Sequence, residues 1–327
     1  MTGGWRWSIW LCILVGIGLA STLHLAVGAK SIPWSDVWQA LLAYDPSNSD
    51  HSVIRGSRLP RLWVAMVVGA CLGLAGTVMQ AVGDNPLADP GILGINSGAA
   101  LFVVIGLLVL PGNDMTMIPL FAFSGALMAA IGVMLLAGRT PNPVRLTLSG
   151  AMMAALFGAI TAIVLLLDQQ GLDSLRRWLT GSLGISGANL PRWLWPYLMV
   201  GMLLCLINVR ALNAYRLGAQ VASSMGVNLL RMRLLSLAAV VLLSGCAVAL
   251  AGPIGFVGLV VPHAARLLVG HDLRQLLLAT PLLGGLLLVL ADAVARTLVS
   301  PYELNTGIVT ALIGGPVFVA LVLRKLK

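Results

Sequence analysis

The run "LLSLAAVVLLSGCAVALAGPIGFVGLVVPHAA", residues 234–265, contains no Asp, Glu, Lys or Arg. A helix crosses the hydrocarbon of a bilayer with about 20 apolar residues, so this run is too long for one crossing. Gly252-Pro253 supplies a break within it. Proline lacks the amide proton and clashes with the preceding turn, so a helix does not continue smoothly through it. The run therefore reads as a full span, a tight break, and an unusually short second span before Arg266. Whether it is split decides the architecture, because it makes the number of crossings even.

Outward from that stretch, further uncharged windows lie at residues 7–29, 62–83, 90–113, 115–138, 146–167, 193–209, 275–291 and 304–323. With the split run they make ten expected spans in an all-α polytopic membrane protein. A single permease domain, residues 1–327, accounts for the whole chain. The window at 7–29 exceeds the ~7–15 residues of a signal-peptide core, so it reads as an uncleaved first span. Composition agrees: hydrophobic residues are 59% and charged residues 9%, against about 25% charged in a soluble domain. The net charge of +9 first reflects loops on the cytoplasmic side, where Lys and Arg collect, and not a nucleic-acid partner.

An even number of spans puts both termini on one side. With the termini inside, twelve Lys and Arg fall on the inner segments and eight on the outer, which favours cytoplasmic termini. "RGSRLPR", residues 55–61, then faces out against that rule, which implies that it is kept for another reason. "GACLGLAG" at 69–76 aligns with "GCAVALAG" at 245–252, in spans of opposite direction. That pattern fits an inverted repeat relating spans two to five and seven to ten, although small residues recur in any packed membrane helix.

Several chemistries find no footing. There is no P-loop, since Lys30, Lys325 and Lys327 follow no glycine-rich loop. Cys12, Cys71, Cys205 and Cys246 all lie in apolar runs without metal-ligand spacing and read as small, buried, reduced thiols. Asp292 is the deep carboxylate, with Arg296 one turn later, a spacing that suits mutual neutralisation. His263 and Arg266 read as structural before they read as a proton relay. Asn96 and Ser97 read as packing or capping residues. No catalytic set stands out, which leaves a pore-former that borrows energy or a facilitator that needs none.

A moderately polar segment at 210–233 interrupts the apolar chain with "YRLGAQVASSMGVNLLRMR" at 215–233. Val221, Met225 and Leu229 recur every four residues, interrupted by Gly226, which reads as a short amphipathic helix, a turn and a second short helix. Such a segment either lies on the lipid headgroups or seats a cytoplasmic partner that supplies work.

The chain resembles the permease subunits of iron-siderophore and cobalamin ABC importers, the FecCD family. The carriers are "RLPR" (58–61), "GLAGTVMQAVGDNPLADPGILGINSGAA" (73–100), "LTLSG" (146–150), "WLTGSL" (178–183), "GPIGFVGLVVPHAARLLVG" (252–270), "LADAVAR" (290–296) and "ELNTGIVTALIGGPVF" (303–318). The resemblance implies a bacterial inner-membrane protein with a second permease subunit, the same chain or a paralogue. It also implies two cytoplasmic ATPase subunits and an external solute-binding protein. No cofactor is expected on this chain; ATP and Mg belong to the ATPases. By the same resemblance, Leu217, Gly218, Val221, Met225, Gly226 and Val227 couple to the ATPase. Asn85, Leu87, Pro143 and Val144 close the cytoplasmic gate, with Asp84 and Asp89 as loop-solvating or capping neighbours. Arg58 and Arg296 dock the binding protein, and Arg61 and Arg55 are weaker contributors. Asn305 and the prolines of "TPNPVR" (140–145) depart from the family pattern. The implied cargo is a ferric siderophore of catecholate type. Cobalamin or haem uptake is the alternative, and a secondary transporter or facilitator is the alternative from another class.

Overall fold

The structure is a computed structural model that describes residues 3–28, 30–110, 116–138, 143–167, 174–176, 178–184, 191–299 and 302–325. In lipid, each backbone N–H and C=O must be satisfied within the chain, and every regular element among the described residues is a helix. The chain starts with α1 (Gly3–Ala26), α2 (Trp34–Leu42) and α3 (Ser49–Val53), and a π turn (Ile54–Arg58) leads into α4 (Leu59–Val82). A 3-10 turn (Pro90–Leu93) precedes α5 (Ile95–Val109), followed by α6 (Ile118–Ala137), α7 (Pro143–Leu167) and α8 (Leu194–Tyr215). Then come α9 (Ala219–Ser224), α10 (Leu229–Ala251), α11 (Val257–Val269), α12 (Leu273–Ala295) and α13 (Thr306–Lys325).

Seven helices among the described residues are long and apolar enough to cross a membrane, and α5, α11 and the apolar part of α13 are shorter. Together these are the ten expected spans. The deciding break falls where the sequence puts it. α10 ends at Ala251, Gly252 takes φ 70°, and α11 begins at Val257. α11 has 13 residues, about 20 Å at 1.5 Å per residue, less than the ~30 Å of hydrocarbon.

The two central posts are α4 and α10, each with 78% of its span window buried, against 22% for α7. Glycine permits the closest approaches: a Cβ on Gly69 would stand 2.1 Å from the Gly284 carbonyl oxygen, and one on Gly76 1.9 Å from that of Gly258. α4 packs on α12 and α11, while α10 packs on α6 and α5. Each post thus crosses over to the helices of the other half, the contact pattern that a two-fold repeat gives.

Three details differ from the sequence reading. The amphipathic α2 and the five-residue α3 lie between spans and were passed over by the window analysis, because neither is long enough to register there. The segment 210–233 holds one short helix, α9, and not two; its ends simply continue α8 and α10. Cys12 is exposed while Cys71, Cys205 and Cys246 are buried, because Cys12 lies on the outward face of the peripheral α1.

Candidate functional site

At one end of the bundle, the ends of α1 and α12 meet the start of α4 around Asp292. His24 Nε2 donates to Asp292 Oδ2 at 2.9 Å. Arg61 donates from Nε at 2.9 Å to Oδ2 and from Nη2 at 2.9 Å to Oδ1, and Thr306 Oγ1 donates to Oδ1 at 2.6 Å. Arg296 Nε stands 3.4 Å from Oδ2, the neutralising pair that the i, i+4 spacing suggested. Arg61 Nη1 also reaches Glu303 Oε2 at 2.8 Å. A buried carboxylate is tolerable only when paired and hydrogen-bonded, and this one is fully enclosed by donors.

The remaining arginines at this end are helix caps. The last carbonyls of a helix lack intrahelical partners, and guanidinium groups satisfy them here. Arg58 donates from Nη1 to the Leu25 carbonyl at 2.6 Å and from Nη2 to the Lys30 carbonyl. Arg296 Nη2 donates to the His24 carbonyl at 2.6 Å. Both guanidiniums pack over Gly28, where a Cβ would meet Arg58 Nη2 at 3.1 Å and Arg296 Nη1 at 3.4 Å. Arg55 caps α2, reaching the Ala40 carbonyl at 2.7 Å and the Leu41 carbonyl at 3.0 Å, with its guanidinium 4.7 Å from the centre of the Tyr44 ring. The basic cluster at 55–61 therefore has structural employment that the sequence left open. The structure brings Arg58 and Arg296, the expected docking pair, side by side at 5% and 3% exposure. Arg61 carries ion pairs to both Asp292 and Glu303.

At the other end, the chain between α8 and α10 is the expected coupling segment. Gly218 takes φ 110° and starts α9; Gly226 takes φ 81° and ends its turn. Neither glycine has an atom within 4 Å of a would-be Cβ, so the requirement there is left-handed backbone and not space. Ala222, on α9 itself, is buried, while Leu217, Val221 and Met225 are 66%, 45% and 63% exposed. Val227 closes the turn by donating its N–H to the Ala222 carbonyl at 3.0 Å. The root of the segment is tied firmly. Buried Asn208 donates from Nδ2 to the Met232 carbonyl at 2.7 Å and to Ser236 Oγ at 2.6 Å. Asn213 joins α12 by donating to Asp272 Oδ1 at 2.9 Å and accepting from the Leu273 N–H at 3.1 Å.

The turn at 83–94 lies at this same end. Asp84 sits at φ 43°. Asn85 Oδ1 accepts from the Leu87 N–H at 3.0 Å, and Asp89 Oδ1 accepts from the Gly91 N–H at 2.8 Å. Asp89 is thus a cap, one of the two roles expected of it. Burial pushes its carboxyl above the usual carboxylate range, against the Gly91 N–H, which lowers it. α7 packs on the turn through Gly150, whose Cβ would stand 2.0 Å from the Ile92 carbonyl oxygen. Val144 is 74% exposed, six residues earlier on α7. Pro143 opens that helix; its side chain and residues 139–142 lie outside the described residues.

Sequence reasoning missed His24, Asn208, Asn213, Glu303 and Thr306. His24 and Asn208 are polar residues within apolar runs, which is a usable signal, but their partners lie 268 and 24–28 positions away. No group of three or more His, Cys, Asp or Glu placed to hold a metal occurs among the described residues.

A helical bundle with buried glycine contacts, helices long and apolar enough to cross a membrane and an exposed apolar row at one end has the architecture of a multi-pass membrane protein. The FecCD transport family matches residues 13–324, and the chain belongs to that family. It is 37% identical over 326 residues to a probable siderophore transport system permease protein, YfiZ of Bacillus subtilis, covering 98% of this chain and 97% of that one. It is 40% identical over 319 residues to the ferric enterobactin transport system permease protein FepD of Escherichia coli, covering 96% and 95%. The hemin transport system permease protein HmuU of Yersinia pestis is 37% identical over 331 residues, covering 96% and 93%. Among solved structures, an ABC transporter described as of metal-chelate type in an inward-facing conformation superposes with a TM-score of 0.81 at 30% identity, covering 97% of this chain and 99% of that one.

Proposed function

We propose that this chain is the inner-membrane permease of a binding-protein-dependent ABC importer for ferric siderophores. The observation that carries the reading is end-to-end similarity to YfiZ and FepD, joined to an exposed apolar row framed by two left-handed glycines. Both termini, with the 217–227 segment, face the cytoplasm. Two ATPase subunits seat there, holding the ATP and Mg, and Leu217, Val221 and Met225 enter their grooves. A second permease subunit completes the pathway, and Asn85, Leu87, Pro143 and Val144 narrow its inner end. Nucleotide-driven closure of the ATPases then biases the helices between two arrangements.

The binding protein docks at the Asp292 end. Guanidinium forks suit carboxylates, so acidic residues of the binding protein would compete with the α1 carbonyls for Arg58 and Arg296. Exchange of Arg58 and Arg296 to Glu therefore weakens docking and also loosens α1, whereas a purely structural role loosens α1 alone. The reading is tested by reconstituting the permease with its ATPase and binding protein and measuring ATP-dependent uptake of ferric catecholate, ferric hydroxamate and haem. Uptake of a ferric siderophore supports it; transport without the ATPase defeats it. The 37% identity to HmuU favours haem as the second cargo reading.

A further inference from the structure

An apolar groove runs along the bundle between α1 and α8. α1 packs on α12 and α8 packs on α10, so the space between them is floored by α4 and α12. Leu74, Leu277 and Pro281 form the floor, and Trp10, Met199 and Leu203 stand on the walls, around a volume of about 1070 Å³. Every residue lining it is apolar. Such a volume lies just above the ~300–1,000 Å³ usual for small-molecule pockets.

Along the same floor, toward the Gly218 end, lies a second cavity of about 190 Å³. Thr77 follows Leu74 at i+3 on one face of α4, and Leu276 of α12 directly precedes Leu277. The character changes at once. Arg216, Arg266 and His271 line this cavity, with Asp84 as its acid. Arg266 donates to Gln80 Oε1 and Arg216 to the His271 carbonyl; among the described residues neither guanidinium forms an ion pair with a carboxylate. At ~30 Å³ per water, the cavity has room for a phosphate group.

We propose that the two stacked cavities hold one glycerophospholipid with an anionic headgroup, its phosphate between Arg216 and Arg266 and an acyl chain along the groove. Guanidinium groups bind phosphate bidentately, and basic pockets between membrane helices recognise anionic headgroups. A free phosphate would need only the small cavity and a neutral lipid only the groove. The end-to-end placement of both fits an amphiphile that carries charge. Arg216 immediately precedes Leu217, so the headgroup sits at the root of the coupling segment.

The test uses the full-length protein purified from membranes in mild detergent. Native mass spectrometry counts retained lipid, and thermal unfolding is followed with phosphatidylglycerol, phosphatidylcholine or inorganic phosphate added. Phosphatidylglycerol is expected to stay bound at one per chain and to raise the unfolding temperature, with phosphatidylcholine and inorganic phosphate ineffective. R216Q/R266Q should lower phosphatidylglycerol occupancy roughly tenfold or more, as loss of charge-assisted contacts implies. L278W, at an exposed groove position, fills the groove without touching the arginines and should lower occupancy as well. It keeps the test open if the double variant fails to fold. Equal retention of phosphatidylcholine, or unchanged retention in L278W, overturns the proposal. Stabilisation by inorganic phosphate alone equal to that by phosphatidylglycerol also overturns it, since the site would then be one for a free anion.

Discussion

The Asp292 cluster and the 217–227 segment are both polar interruptions at the ends of apolar spans, and the family resemblance implies a docking role near each. Their construction is opposite. Around Asp292, charged groups are spent on one another and on helix ends, with Arg58 and Arg296 almost fully buried. Around α9, apolar side chains project with nothing over them, and the backbone relies on two left-handed glycines. Charge is therefore enclosed and paired at the Asp292 end, whereas apolar surface stays exposed on the polar segment at the other. Large exposed apolar patches are what usually identify partner sites.

The sharpest way to break that contrast is to remove its centre. Asp292→Ala leaves Arg61, Arg296 and His24 around an absent carboxylate; losing one partner of a buried pair costs about 3–5 kcal/mol. Expected is a large drop in the unfolding temperature of the detergent-solubilised protein. D292N/R61Q should recover part of the loss, because the two residues are directly coupled. If D292A unfolds like the parent, the cluster does not hold this end of the bundle together.

Gly226→Val tests the opposite end. A β-branched residue in left-handed backbone costs about 1–2 kcal/mol, confined here to an exposed turn. Global unfolding should move little, while stimulation of the ATPase by loaded binding protein falls toward background. A large global destabilisation with coupling intact would reverse the assignment of the two ends.

Met225→Asp is milder still in structural terms, since exposed substitutions usually stay within about 0.5 kcal/mol. It places a charge in the apolar row and should reduce co-purification of the ATPase without shifting unfolding. Normal co-purification and uptake would show that the row is not the contact.

The smallest expected effect concerns the 83–94 turn, where charge is neither paired nor projected. The Asp89 carboxyl is raised by burial, so its ionisation opposes folding. Its contribution is fully present below the ordinary carboxylate pKa of about 3.9 and lost as pH rises through the raised value. Asp89→Asn keeps an oxygen for the Gly91 N–H and removes the titration. It should raise the unfolding temperature slightly at pH 7 and leave it unchanged at low pH. An equal shift at both pH values would mean that packing, and not ionisation, sets the difference.

The spans were legible because partitioning into lipid depends on a local sum over about 20 residues. α4 begins three residues before its window and α12 two before, and the Gly252-Pro253 break is where the covalent constraint on proline requires it. The left-handed glycines at 218 and 226 were legible for a related reason: backbone freedom belongs to the residue itself. The amphipathic α2 was not, since in nine residues it offers no span-length signal. The employment of Arg58 was illegible too, because its acceptors, the Leu25 carbonyl at the end of α1 and the Lys30 carbonyl just beyond it, lie 33 and 28 residues earlier.

By itself, the sequence determined that this is an all-helical, multi-pass membrane protein with a water-compatible segment between spans six and seven. Apolar length, proline and glycine act on their own neighbourhoods and leave their marks in order along the chain. Only the tertiary structure decided which charges are consumed and which surfaces stay open. Arg61 and Asp292 are 231 positions apart, and nothing in either neighbourhood names the other. In a low-dielectric interior an unpaired charge is costly wherever it sits, so the fold must find the partner, and that choice is made by packing and not by pattern.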